Sequence, residues 1–170
     1  KKIIYTLEQM QAIETFWKSY ECGERATWLI HGITGSGKTE VYMEMIERVV
    51  NSGKQAIVLI PEIALTYQTV MRFYHRFGER VSFINSTLSP GEKYDQHLRA
   101  KKGEIDVIIG PRSALFTPFS NLGLIVIDEE HETTYKSENV PKYHAREVAV
   151  ELARLHSASV ILGSATPSLE

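Results

Sequence analysis

Six short apolar runs, at residues 27–31, 56–60, 81–84, 107–110, 124–128 and 160–163, constrain this chain more than any other feature. They are rich in Val, Ile and Leu without strict polar alternation, the pattern of strands buried on both faces of a parallel sheet. Around them lie stretches with helical spacing at 7–21, 38–51, 65–77, 91–102 and 143–155. Such alternation predicts one α/β domain over residues 1–170, in three layers, with a mostly parallel sheet of about six strands. Asn51-Ser52-Gly53 reads as a helix stop, and Ser89-Pro90-Gly91-Glu92 as a cap with an acidic first turn. A chain of 170 residues, 43% of them hydrophobic, buries about two-thirds of its unfolded surface and needs no metal or disulfide to fold. The 19 basic and 21 acidic residues leave a net charge of -2, so contact with nucleic acid must come from a local patch. The single cysteine, Cys22, cannot pair internally or build a zinc cluster, which predicts a reducing, cytoplasmic setting. No apolar run is as long as a membrane span, so no membrane partner is expected. Without an initiator Met, and ending just after the sixth run, the chain reads as a domain excised from a larger protein.

Between the first run and the second amphipathic stretch stands Gly32-Ile33-Thr34-Gly35-Ser36-Gly37-Lys38-Thr39, the eight-residue phosphate-loop pattern in the strand-to-helix setting it requires. Glycines let successive backbone N–H groups wrap one anion at the positive end of the helix that follows. Lys38 is then the partner of the β and γ phosphates, and the Thr39 hydroxyl a ligand of Mg²⁺. These eight residues predict a nucleotide-binding site. The bland reading is a flexible Gly/Ser turn with an incidental lysine, which the complete pattern disfavours.

The fifth run ends in Asp128-Glu129-Glu130-His131, placing carboxylates at the edge where open α/β sheets bind ligands. Asp128 is suited to hold Mg²⁺ through water, and Glu129 to orient and deprotonate an attacking water. Taken alone, acids after a strand are more often a solvated turn or a helix cap. His131 is either a relay between the acids and another segment or the first residue of the long polar stretch 131–142. Thr66 and Arg112 follow the second and fourth runs at the same edge, where a hydroxyl and a guanidinium can take nucleic-acid phosphates. For Arg112 an ion pair with a nearby acid is an equal alternative. Tyr135, Lys136, Lys142, Tyr143, His144 and Arg146 interleave aromatic and basic side chains, as single-strand binding requires. The competing reading is a solvated loop whose tyrosines pack on the last helix. Trp17, Trp28, Phe73, Phe77 and Phe83 are expected in or at the core.

The phosphate loop, the Asp128–His131 tetrad and Gly163-Ser164-Ala165-Thr166-Pro167-Ser168 resemble motifs I, II and III of superfamily 2 helicases. Pro61-Glu62-Ile63-Ala64-Leu65-Thr66, Gly110-Pro111-Arg112-Ser113-Ala114-Leu115-Phe116 and Tyr143-His144-Ala145-Arg146 narrow the resemblance to the bacterial primosomal replication-restart helicases, the PriA family. The resemblance implies the first RecA-like lobe of an ATP-driven motor that moves 3′ to 5′ on DNA and acts in restart of stalled forks. It implies ATP and Mg²⁺ as cofactors, single-stranded or forked DNA as partner, and other primosome proteins and single-strand binding protein as associates. Gln9 matches the glutamine that reads adenine in related helicases; without the resemblance it is a helix-surface side chain. Glu130, His131, Ser164 and Thr166 take coupling roles, and the 131–146 segment the role of a loop linking DNA to hydrolysis. The second lobe with its arginine finger and the zinc-binding cysteine-rich insertion belong to parts of the family's chain absent here. Alternatives are the first lobe of another superfamily 2 translocase, of repair or restriction, or a phosphate-loop switch or kinase without motor action.

Overall fold

The computed structural model describes residues 3–30, 36–128 and 145–163. Among them are six strands, β1 (Thr27–Ile30), β2 (Gln55–Leu59), β3 (Val81–Phe83), β4 (Val107–Gly110), β5 (Leu122–Asp128) and β6 (Ser159–Gly163). Five α-helices accompany them: α1 (Leu7–Glu21), α2 (Ser36–Asn51), α3 (Tyr67–Phe77), α4 (Pro90–Lys101) and α5 (Ala145–His156). The sheet is parallel throughout, in the order β1-β6-β5-β2-β4-β3.

Strand residues divide by parity, because successive side chains leave opposite faces. Ala56, Val58, Val107, Ile109, Leu124, Val126 and Ile161 pack with α1, α2 and α3. Ile57, Leu59, Ile108, Ile125, Ile127, Val160 and Leu162 pack beneath α5 and beside Ala100 of α4. This is the expected three-layer arrangement. Helix α2 is buried almost all round, with Val41, Tyr42, Met43, Met45, Ile46 and Val49 each 0–1% exposed. Its place between α1, α3 and the sheet explains this. The α5 face against the sheet is Ala145, Ala149 and Ala153, whose small side chains permit close approach.

Local signals account for most boundaries. Thr6 and Gln9 form a reciprocal capping box at the start of α1, and Ser89 and Glu92 another at α4, with Pro90 in its first turn. Gly53 follows α2 with φ +96°, a left-handed conformation natural to glycine after a helix. Some expectations are corrected. The third helix starts at Tyr67, not at 65: Glu62–Ala64 forms a 3-10 turn closed by Leu65, and the Thr66 hydroxyl accepts from the Thr69 amide as N-cap. β1 is not buried on both faces, because it lies at the sheet edge and, among the described residues, pairs only with β6, leaving Leu29 57% exposed. β5 begins two residues early, through Gly123, whose bare Cα admits the Tyr20 hydroxyl. Trp17, Trp28 and Phe83 are half-buried and Phe73 and Phe77 buried, as expected.

Candidate nucleotide-binding site

The crossover from β1 to β2 spans the two strands inserted between them, and α2 packs against β5 and β2. That topology carries Lys38, in the first turn of α2, onto Asp128, the last residue of β5. Lys38 is 1% exposed and Asp128 8%. The Lys38 Nζ stands 3.8 Å from Asp128 Oδ1, an ion pair beyond hydrogen-bond distance. It has no hydrogen-bond partner among the described residues. A buried ammonium with unused donors is costly unless an anion completes its shell. A phosphate group fits that requirement, and with it the nucleotide expected of the loop. Thr39, next on α2, and Asp128 are the residues present to hold Mg²⁺, a hard cation that favours oxygen ligands.

Gln9 reaches this site from α1. Its Nε2 donates to the carbonyl of Gly37 at 3.2 Å, while its Oε1 accepts from the Thr6 amide at 2.8 Å. It is half-buried and tied to the phosphate loop, not simply a surface glutamine. Ser36 opens α2. Gly32, Ile33, Thr34 and Gly35 lie outside the described residues, as do Glu129, Glu130, His131, Tyr135, Lys136, Tyr143, Ser164 and Thr166.

Thr66 and Arg112 fall where expected, beyond the carboxyl ends of the neighbouring strands β2 and β4. Thr66 is exposed and caps α3; half-buried Arg112 opens a 3-10 turn, Arg112–Phe116. Arg146 is exposed in the first turn of α5.

Behind the site, α3 is clamped to α2 by charges that sequence reading passed over. Arg72 pairs with Glu40, next in sequence to Thr39. Arg76 donates to Glu44 at 2.5 Å, to Glu47 at 2.6 Å and to the Tyr5 hydroxyl at 3.3 Å. Burial would lower the Arg76 pKa, but its bonds to Glu47 and Tyr5 outweigh that and raise it. Burial likewise pushes Glu44 up, yet the Arg48 hydrogen bond and the Arg76 and Arg48 charges hold it below the ordinary carboxylate value. Helical spacing was the available signal: Glu40, Glu44 and Glu47 make an acidic row on α2, and Arg72 and Arg76 a basic row on α3. Also unforeseen is Glu62, whose carboxylate accepts from the Ser86 amide and hydroxyl and ties the loop after β2 to that after β3.

A family model described as "Type III restriction enzyme, res subunit" matches residues 2–169. The chain belongs to that family. It is 53% identical over 165 residues to "Replication restart protein PriA" of Bacillus subtilis (strain 168), covering 97% of this chain and 20% of the relative. To the protein of the same name from Haemophilus influenzae it is 47% identical over 165 residues, covering 97% and 22%. The expected resemblance to PriA proteins is thus shown, and this res-subunit family member spans about one-fifth of their length. Among solved structures it resembles "Structure of RecG bound to three-way DNA junction", with TM-score 0.73, 24% identity, and coverage of 98% of this chain and 22% of that one. That likeness agrees with the RecA-like fold that the family resemblance implies.

Proposed function

We propose that this chain is the ATP-binding lobe of a 3′ to 5′ DNA helicase that acts in the restart of stalled replication forks. The observation that carries the reading is the buried Lys38 ammonium, unsatisfied among the described residues and 3.8 Å from the Asp128 carboxylate. Lys38 neutralises the phosphates and withdraws electron density from the group transferred, while the backbone of Gly32 to Thr39 cradles them. Thr39 and Asp128 hold Mg²⁺, which supplies charge neutralisation along the phosphate chain when bound. Glu129, next in sequence to Asp128, orients and deprotonates the attacking water. Gln9 uses one amide hydrogen on Gly37 and one oxygen lone pair on Thr6. It keeps one donor and one acceptor, the pair an adenine edge takes.

Single-stranded or forked DNA is the polymer partner in this reading. Thr66 and Arg112 contact its phosphates, and Tyr135, Lys136, Tyr143 and Arg146 hold it by stacking and charge. Glu130, His131, Ser164 and Thr166 couple that contact to the nucleotide site. Other primosome proteins and single-strand binding protein follow from the same reading, as does a cytoplasmic location. The family model names a restriction subunit, a second class of DNA motor, but relatives at 44–53% identity over most of this chain bear the restart name. That similarity favours restart.

The test is calorimetric titration with Mg²⁺-ADP. Wild type binds, and Lys38→Ala loses about tenfold to a hundredfold in affinity, the scale of a charge-assisted bond to a buried phosphate. Equal binding by the two proteins would overturn the site.

A further inference from the structure

Tyr42 stands one helical turn beyond Lys38 on α2, so the two side chains share a face. Both are 1% exposed. Each meets one of two adjacent strand ends: Lys38 faces Asp128 of β5, and Tyr42 meets Gly163 of β6. Asp128 and Gly163 are themselves cross-strand partners in the sheet register. A Cβ built on Gly163 would fall 1.4 Å from the Tyr42 hydroxyl oxygen and 2.6 Å from Cζ. The hydroxyl therefore occupies the place where any side chain at position 163 would begin. No residue but glycine admits it there.

We infer that Tyr42 is a positioning residue whose hydroxyl, seated on Gly163, sets the height of α2 over the β5–β6 pair and holds Lys38 off Asp128. The inference rests on the nucleotide reading above and deepens it. At 3.8 Å the ammonium feels the carboxylate without donating to it. Were the helix to settle closer, Lys38 and Asp128 would form a full charge-assisted hydrogen bond. Such a pair satisfies the ammonium internally, and an incoming phosphate must then break it. The Tyr42 spacer prevents this collapse and leaves the lysine available to phosphate. Shortening the side chain by its oxygen removes the spacer while keeping the buried ring.

The experiment is a double-mutant cycle on the full chain, read by the Kd for ADP in EDTA so that Mg²⁺ ligation by Asp128 plays no part. Tyr42→Phe is expected to weaken ADP about fivefold to tenfold, the scale of one hydrogen bond that must be broken first. In the Asp128→Asn background the same substitution changes Kd less than about twofold, because the carboxylate that captures Lys38 is gone. Equal losses in both backgrounds, or no loss in the first, overturn the inference; a merely structural tyrosine gives equal losses.

A crystal structure of Tyr42→Phe without nucleotide measures the spacing directly. Contraction of Lys38–Asp128 to hydrogen-bonding distance supports the spacer, and a separation unchanged from 3.8 Å overturns it. Gly163→Ala probes the contact from the strand side, where its methyl displaces the hydroxyl and lengthens the same distance; an unchanged distance there also overturns it. Failure of wild type to bind ADP would remove the nucleotide reading, and the two structures would still decide the spacing.

Discussion

The side-chain amide of Gln9 donates to the main-chain carbonyl of Gly37 at 3.2 Å, joining the first turn of α1 to the end of the phosphate loop. Gln9→Ala cuts this tie and half of the capping box with Thr6. Helix stability should fall by about 0.5–1 kcal/mol, since Thr6 still caps. If Gln9 also reads the base, preference for ADP over GDP should shrink by about tenfold. Competition titrations measure it, and unchanged discrimination would leave Gln9 a structural tie.

Acid should loosen the α2–α3 clamp. Glu44 has a pKa held below the ordinary glutamate value of 4.5 in the folded chain. The unfolded state therefore binds more protons as pH falls. The stabilisation is complete above about pH 4.5 and is lost as pH falls through the folded value. Asp106, whose pKa burial raises against the pull of Arg80, works in the opposite sense. Glu44→Gln isolates this contribution: its Tm should lie below wild type at pH 7, and the gap should close toward pH 3. A gap that does not narrow in acid would assign the stabilisation elsewhere.

Gly123→Ala should destabilise the domain although the residue lies inside a strand. The new Cβ would stand 2.6 Å from Lys54 Cβ and 2.6 Å from the Tyr20 hydroxyl, which donates to the Gly123 carbonyl at 3.1 Å. Overpacking of this kind costs about 1–3 kcal/mol, or roughly 2–12 °C in Tm for a chain of this size. Thermal denaturation checks it, and an unchanged Tm would show that Lys54 and Tyr20 yield freely.

Hydrolysis by the 170-residue chain alone should be very slow and insensitive to single-stranded DNA. Under the proposed function the arginine finger comes from a second lobe, and such a finger is worth about a thousandfold to a hundred-thousandfold. Joining that lobe to this chain should restore DNA-stimulated turnover. Robust stimulated turnover by the isolated chain, followed by phosphate release, would contradict this division of labour.

Local chemistry made much of the molecule legible. The Thr6–Gln9 and Ser89–Glu92 boxes lie in the order of residues, and the unbroken apolar runs at 56–60 and 107–110 became strands buried on both faces. The 3-10 turn at Glu62–Ala64 was not legible, because Pro61 and Thr66 permit either a turn or an early helix and only the Thr66 cap decides. Phosphate-loop spacing singled out Lys38, and strand-end chemistry singled out Asp128. Nothing local says that they meet.

By itself, then, the sequence determined the alternation of strands and helices, the caps, and the residue types suited to phosphate and Mg²⁺, all properties of neighbours within a few positions. Tertiary structure alone decided the order β1-β6-β5-β2-β4-β3, which leaves β1 at an edge and packs α2 against β5 and β2. It alone set Lys38 3.8 Å from Asp128 and the Tyr42 hydroxyl on the bare Cα of Gly163. The physical reason is that strand order and helix height follow from how whole faces pack. Residues 90 and 121 positions apart meet only after every intervening layer has found its place.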